Sequence, residues 1–143
     1  MFYRLTQAWR AIFIKVSKED RELALSILKE TWEREIFLSL SEYDQNHSIR
    51  IVKEIILEVK TPSKLLLRLS LLHDCGKSSS LTLIDRALYS KFKISRKEIS
   101  KHSYLGYLKV KQWDLELAEL ISKHHSEGED NTIETFQYYD NRN

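Results

Sequence analysis

The chain is poor in residues that break or staple a fold. Its 143 residues include one cysteine, Cys75, one proline, Pro62, and three glycines, Gly76, Gly106 and Gly128. A lone cysteine excludes an intrachain disulfide framework and fits a reducing compartment, so a cytoplasmic location is expected. So little glycine and proline leaves few hairpin turns, which argues against strands and for an all-α chain. No apolar run approaches the roughly 20 residues of a membrane span. The N-terminus has neither a continuous apolar core nor a small-residue cleavage site, so no signal peptide is expected. A formal net charge of +2 is too small to point to a nucleic-acid partner.

What is present is the material of one globular helical domain. Hydrophobic residues make up 42% and charged residues 31%, a balance that excludes disorder at a length sufficient for a core. Phe2, Leu5, Trp9, Ile12 and Val16 recur at steps of three and four, opposite Arg4, Arg10 and Lys15. Residues 1–16 thus read as an amphipathic helix, packed on the domain or laid on a membrane surface or a dimer contact. Ser17 to Asp20 has capping-box spacing and predicts a helix turning Leu23, Ile27 and Leu28 inward. A short segment follows around Trp32, Ile36 and Phe37. Ser41, with Asp44 three residues on, opens a helix that aligns His47, Ile51, Ile55 and Val59. Thr61-Pro62 reads as an N-cap and first helical residue. The helix it starts is apolar nearly all round (Leu65, Leu66, Leu67, Leu69, Leu71 and Leu72), which predicts a central, buried position. Helices are expected near residues 82–92, from the Ser95–Glu98 capping box through His102 and Gly106, over residues 114–125, and around Ile133, Phe136, Tyr139 and Asp140. Residues 126–131 read as a loop. Residues 1–40 are taken as an N-terminal helical extension and 41–143 as the main helical domain, which carries the histidines described next.

The chain is organised around Leu69-Ser70-Leu71-Leu72-His73-Asp74-Cys75-Gly76-Lys77. An imidazole and a carboxylate side by side at the end of a buried helix can bind one metal ion and reach a second. Gly76 is expected to let the backbone leave the helix in a conformation a Cβ would oppose. Lys77 places a cation beside any bound anion. Cys75 reads as a small buried residue. All five histidines fall at four helix positions: His47, His73, His102 and the pair His124-His125. From His47 through His73, His102 and His124 to Asp140 the gaps are 26, 29, 22 and 16 residues, each about a helix and a loop. Successive helices of a bundle can therefore aim these groups at one point. Imidazole and carboxylate together suit manganese, iron, cobalt, nickel or zinc. Singly, each has a blander reading, as a core histidine, a surface pair or a solvated tail acid; the joint pattern outweighs those.

The order Gln45-Asn46-His47, His73-Asp74-Cys75-Gly76-Lys77, Lys101-His102-Ser103-Tyr104-Leu105-Gly106, Ile121-Ser122-Lys123-His124-His125 and Tyr138-Tyr139-Asp140 resembles the HD-domain phosphohydrolase superfamily. It is most similar to the subgroup with a His-Asp-x-Gly-Lys motif, related to HD-GYP-type domains, and the match covers about residues 41–140. The resemblance implies an all-α helical bundle with His47, His73, Asp74 and Asp140 around one divalent metal ion. It further implies that Asp74 bridges to a second ion held by His102 and His124, with His125 a further candidate. A dinuclear phosphohydrolase is expected, cleaving a phosphoester or phosphoanhydride of a nucleotide-like substrate with a metal-activated hydroxide. Asp74 and Lys77 would be its catalytic groups, with Lys77 also binding the substrate. Ser126 to Asn131 stands where cyclic-dinucleotide phosphodiesterases carry a Gly-Tyr-Pro stretch, so their specificity is not expected. Bacterial diadenosine tetraphosphatases share the six-ligand order, with a single histidine followed by a short loop, and are a fair substrate analogue. Many relatives continue their last helix beyond the position of Asp140, so one wall of the pocket is expected to be open or partner-supplied. A non-catalytic nucleotide sensor and a di-iron oxygenase of the HD type are the alternatives.

Overall fold

The computed structural model describes residues 15–77, 96–126 and 130–143. They form seven α-helices and a 3-10 turn, with no strand among the described residues, as the scarcity of turn formers predicts. The helices are α1 (Lys18–Ile27), α2 (Thr31–Leu38), α3 (Glu42–Glu58), α4 (Lys64–Leu72), α5 (Arg96–Val110), α6 (Leu115–Ser122) and α7 (Asn131–Arg142). The 3-10 turn, Cys75–Lys77, follows α4. Residues 1–14, the expected helix near 82–92 and the capping residue Ser95 lie outside the described residues.

Side-chain caps set most of the helix starts. The Ser17 and Ser41 hydroxyls accept from the Asp20 and Asp44 amides, and Asp130 accepts from Thr132 and Ile133. Two boundaries differ from expectation. Ser63, not Thr61, caps α4 by accepting from the Leu66 amide, so Pro62 precedes the cap instead of entering the helix. α6 stops at Ser122 because the chain tightens there, with the His124 amide bonding the Ile121 carbonyl. His124 and His125 therefore sit on a turn and not on a helical face. In α1, Ala24 and Leu28 are fully buried while Leu23 and Ile27 are half-buried, so the stripe faces the core through Ala24.

α4 is the central element. It packs against α1, α2, α3, α6 and α7, and buries Leu66, Leu69, Leu71 and Leu72. A helix this rich in leucine is stable only when surrounded in this way, each fully buried leucine contributing roughly 1.5–3 kcal/mol by leaving water. Val16, Ala24, Leu28, Phe37 and Leu40 join the same cluster as Ile51, Ile55, Leu117, Ile121, Ile133 and Phe136, so residues 16–40 share the one core. α5 packs on α6 and on the Cys75–Lys77 turn. Among the described residues no helix is long and apolar enough to cross a membrane.

Candidate metal centre

The C-terminal end of α4 delivers the site. His73 is the C-cap of that helix, still in helical conformation, and Asp74 leads into the 3-10 turn; both are buried. The His73 Nδ1 lies 2.8 Å from the Ser70 carbonyl. A carbonyl can only accept, so Nδ1 carries the proton and Nε2 is left facing the site. Phe136 of α7 packs on the ring at 4.7 Å between centroids and holds its tilt.

Two sets of ligand atoms converge there. In the first, His47, His73 and Asp140 each offer an atom within 4.8 Å of the others. His47 Nε2 is 3.0 Å and His73 Nε2 3.9 Å from Asp140 Oδ1. In the second, His102, His124 and His125 meet the same criterion. His102 Nε2 lies 3.3 Å from His124 Nε2 and 3.2 Å from His125 Nε2. His124 donates from Nδ1 to the Ile121 carbonyl, so its Nε2 points a lone pair at its neighbours. One proton on His102 Nε2 can satisfy only one of its two contacts. The donor set thus fits a cation, which a cluster of inward lone pairs lacks.

Asp74 stands between the sets. Its Oδ2 is 3.1 Å from His73 Nε2 and 3.3 Å from Lys77 Nζ. Its Oδ1 is 3.5 Å from His102 Nε2 and 3.9 Å from His124 Nε2. Each oxygen therefore serves one set, the geometry of a bridging carboxylate. Burial opposes its charge, but His73, His102 and Lys77 outweigh burial and hold its pKa well below the usual carboxylate value. Asp140 is likewise lowered, burial being outweighed by the His47 hydrogen bond and the charges of His73 and His47. For His73, burial pulls the pKa down, yet the facing carboxylates Asp74 and Asp140 raise it overall. His124 goes the other way: burial, then His73 and His125, push it down to about 3. Burial and His102 also lower His125.

All seven expected site residues, His47, His73, Asp74, His102, His124, His125 and Asp140, are thus brought together, with Lys77 at the edge. Gly76 is needed for a reason other than the expected one. Its backbone is not left-handed; a Cβ would instead fall 1.8 Å from the His102 carbonyl oxygen. Cys75 is buried, and burial pushes its thiol up to about 12, so it is an inert packing residue. Gln137 escaped the sequence reading. Its amide donates to the His124 and Ser126 carbonyls at 3.0 and 2.8 Å, fixing the turn that carries the histidine pair. The available signal was its place one turn before Asp140 on the same helix.

A cavity of about 750 Å³ opens elsewhere, at the N-terminal half of α4, beside Trp32, Trp113, Lys64 and Arg68. Arg68 there bonds both the buried Glu33 of α2 and Asp114, the N-cap of α6, under parallel Trp32 and Trp113 rings 5.9 Å apart. Every charge in that triad is already paired, so it serves to join three helices.

A family model described as the HD domain matches residues 45–140, from the turn before His47 to Asp140. No curated protein and no solved structure matches the chain.

Proposed function

The chain belongs to the HD-domain family, and on that premise we propose that it is a metal-dependent phosphohydrolase cleaving a phosphoester or phosphoanhydride of a nucleotide-like substrate. The observation that carries this reading is Asp74, one oxygen turned to each of two sets of three ligand atoms. His47, His73, Asp74 and Asp140 would hold one divalent ion. His102 and His124, with Asp74 shared and His125 completing the set, would hold the other. Manganese, iron, cobalt, nickel and zinc all suit these donors. When bound, such a pair supplies a lowered water pKa and a clamp on phosphoryl oxygens.

The chain's own residues then have distinct tasks. The backbone-bonded Nδ1 atoms of His73 and His124 keep both rings in the tautomer that presents Nε2. Asp74 stays ionised at neutral pH, which lets it be shared and lets it orient water. Asp140, half-buried and also ionised, is placed to accept a proton. Lys77, half-buried beside Asp74 Oδ2, offers a cation to substrate phosphate and to the charge that develops on it. A single, buried cysteine, Cys75, fits a reducing compartment and so a cytoplasmic enzyme, and the apolar stripe in residues 1–16 fits a membrane-surface contact.

Hydrolysis of bis(p-nitrophenyl) phosphate and of a nucleotide panel, with manganese added, tests the reading. Turnover that disappears in Asp74→Ala is the expected result. Intact turnover in purified Asp74→Ala rejects it. Bound metal with oxygen uptake and no hydrolysis of any phosphate compound would replace it with the oxygenase alternative.

A further inference from the structure

The second ligand set depends on where α5 lies against the turn that follows Asp74. Gly106 and Lys109 fall four and seven residues after His102, so all three share one stripe of α5. That stripe meets the Cys75–Lys77 turn at unusually short range. A Cβ on Gly76 would lie 1.8 Å from the His102 carbonyl oxygen and 2.8 Å from the Gly106 amide nitrogen. A Cβ on Gly106 would lie 2.7 Å from Ile121 Cγ2 and 3.2 Å from Cys75 Sγ. Such a contact brings backbone to backbone, and among the described residues the Cys75 thiol reaches the Gly106 carbonyl at 3.9 Å, a weak bond. The directional bond comes from Lys109, whose half-buried ammonium donates to the Cys75 carbonyl at 2.9 Å. This residue follows Asp74 directly in the chain.

We propose that Lys109 is a positioning residue for the second metal ion, fixing the register between Asp74 on the turn and His102 on α5. The inference rests on the dinuclear reading above. His102 Nε2 and Asp74 Oδ1 are 3.5 Å apart on two elements with no covalent connection shorter than 27 intervening residues. Lys109 pins the turn to the same helix face that carries His102, so a slide of α5 along the turn must break its bond. The first ligand set draws on α3, the end of α4 and α7, none of which Lys109 touches through this bond. Loss of the ammonium should therefore loosen the second set selectively. Groups that orient metal ligands from behind are worth on the order of 10- to 100-fold in affinity.

The test titrates manganese into apo wild type, Lys109→Met and Lys109→Arg, following stoichiometry by calorimetry and the exchange-coupled dinuclear signal by electron paramagnetic resonance. Wild type is expected to take two ions and give the coupled signal. Lys109→Met is expected to keep the first affinity and weaken the second at least about 10-fold, losing the coupled signal at two equivalents. Lys109→Arg, which keeps a charged donor, is expected to recover part of the loss. Lys109→Gln serves on the same terms if the methionine variant does not fold. Two wild-type affinities in the Met variant overturn the proposal. So does an equal loss at both sites with a lower melting temperature of the apo protein, since that marks general unfolding. A wild-type chain that binds only one ion instead overturns the dinuclear reading itself.

Discussion

At the residue scale, the site separates two kinds of histidine by their surroundings. His73 faces two carboxylates and is raised; His124 faces burial and other imidazoles and is pushed down to about 3. Without metal, this makes stability depend on pH in a definite direction. Between its folded value and the unfolded value of about 6.5, His124 takes up a proton only when the chain unfolds. Stability is then lost as pH falls through that window. His125, Asp74 and Asp140 are also lowered and act with the same sign. His73, raised, contributes fully below about 6.5 and is lost only above it, so it does not offset the trend. Denaturant unfolding of metal-free protein should give a stability lower by about 2 kcal/mol at pH 5 than at pH 6.5, from His124 alone. Equal stability at the two values would contradict the buried, neutral His124. Lys77 makes a different prediction, because it sits beside Asp74 without being a ligand in this account. Lys77→Ala should leave metal content unchanged and lower the hydrolysis rate about 10²-fold. Loss of a metal ion in that variant would show that the lysine had been given the wrong role.

At the element scale, α4 explains both the fold and the site. Its leucines hold it at the centre, and its C-terminal end must then emerge inside the bundle, where His73 and Asp74 meet side chains from α3, α5, α7 and the turn after α6. That much was legible, because an all-round apolar helix has one stable place and the spacing of the histidines follows the helices. What the sequence did not reveal is close approach. Gly76 looked like a residue that ends a helix, whereas it admits the backbone of α5; a one-dimensional pattern cannot distinguish the two uses. The same limit hid Ser63 behind the more conspicuous Thr61-Pro62, and it assigned His124 to a helix that stops two residues earlier. Gln137 and Lys109 bond backbone carbonyls far away in sequence, which no periodicity records. Long-range charge pairing was equally invisible. Arg68 joins α4 to α2 through Glu33 and to the start of α6 through Asp114. Arg68→Ala strands the buried Glu33 carboxylate, and removing one partner of such a pair costs about 3 kcal/mol. A melting temperature unchanged by that substitution would contradict the stapling role. Metal affinity should be unaffected in the folded variant, since the triad lies at the opposite half of α4.

At the scale of the whole molecule, the described helices form a scaffold whose interior ends in ligand atoms and not in more hydrocarbon. Six side chains that offer candidate ligand atoms, and the Asp74 carboxylate between them, reach one place from α3, α4, α5, the turn after α6 and α7, so this cluster can form only when the bundle does. Metal binding at this cluster would consequently be linked to folding, and ions that bind the native chain alone would stabilise it. The match of the HD-domain model from residue 45 to residue 140 spans the same set, from just before His47 to Asp140. The central claim is that Asp74 unites two metal sites in one chain. Elemental analysis of purified wild type beside Asp74→Ala, both loaded with manganese and desalted, addresses it most directly. The account predicts two ions per wild-type chain and fewer than one per variant chain. Two ions retained by Asp74→Ala, or none bound by the wild type, would contradict it.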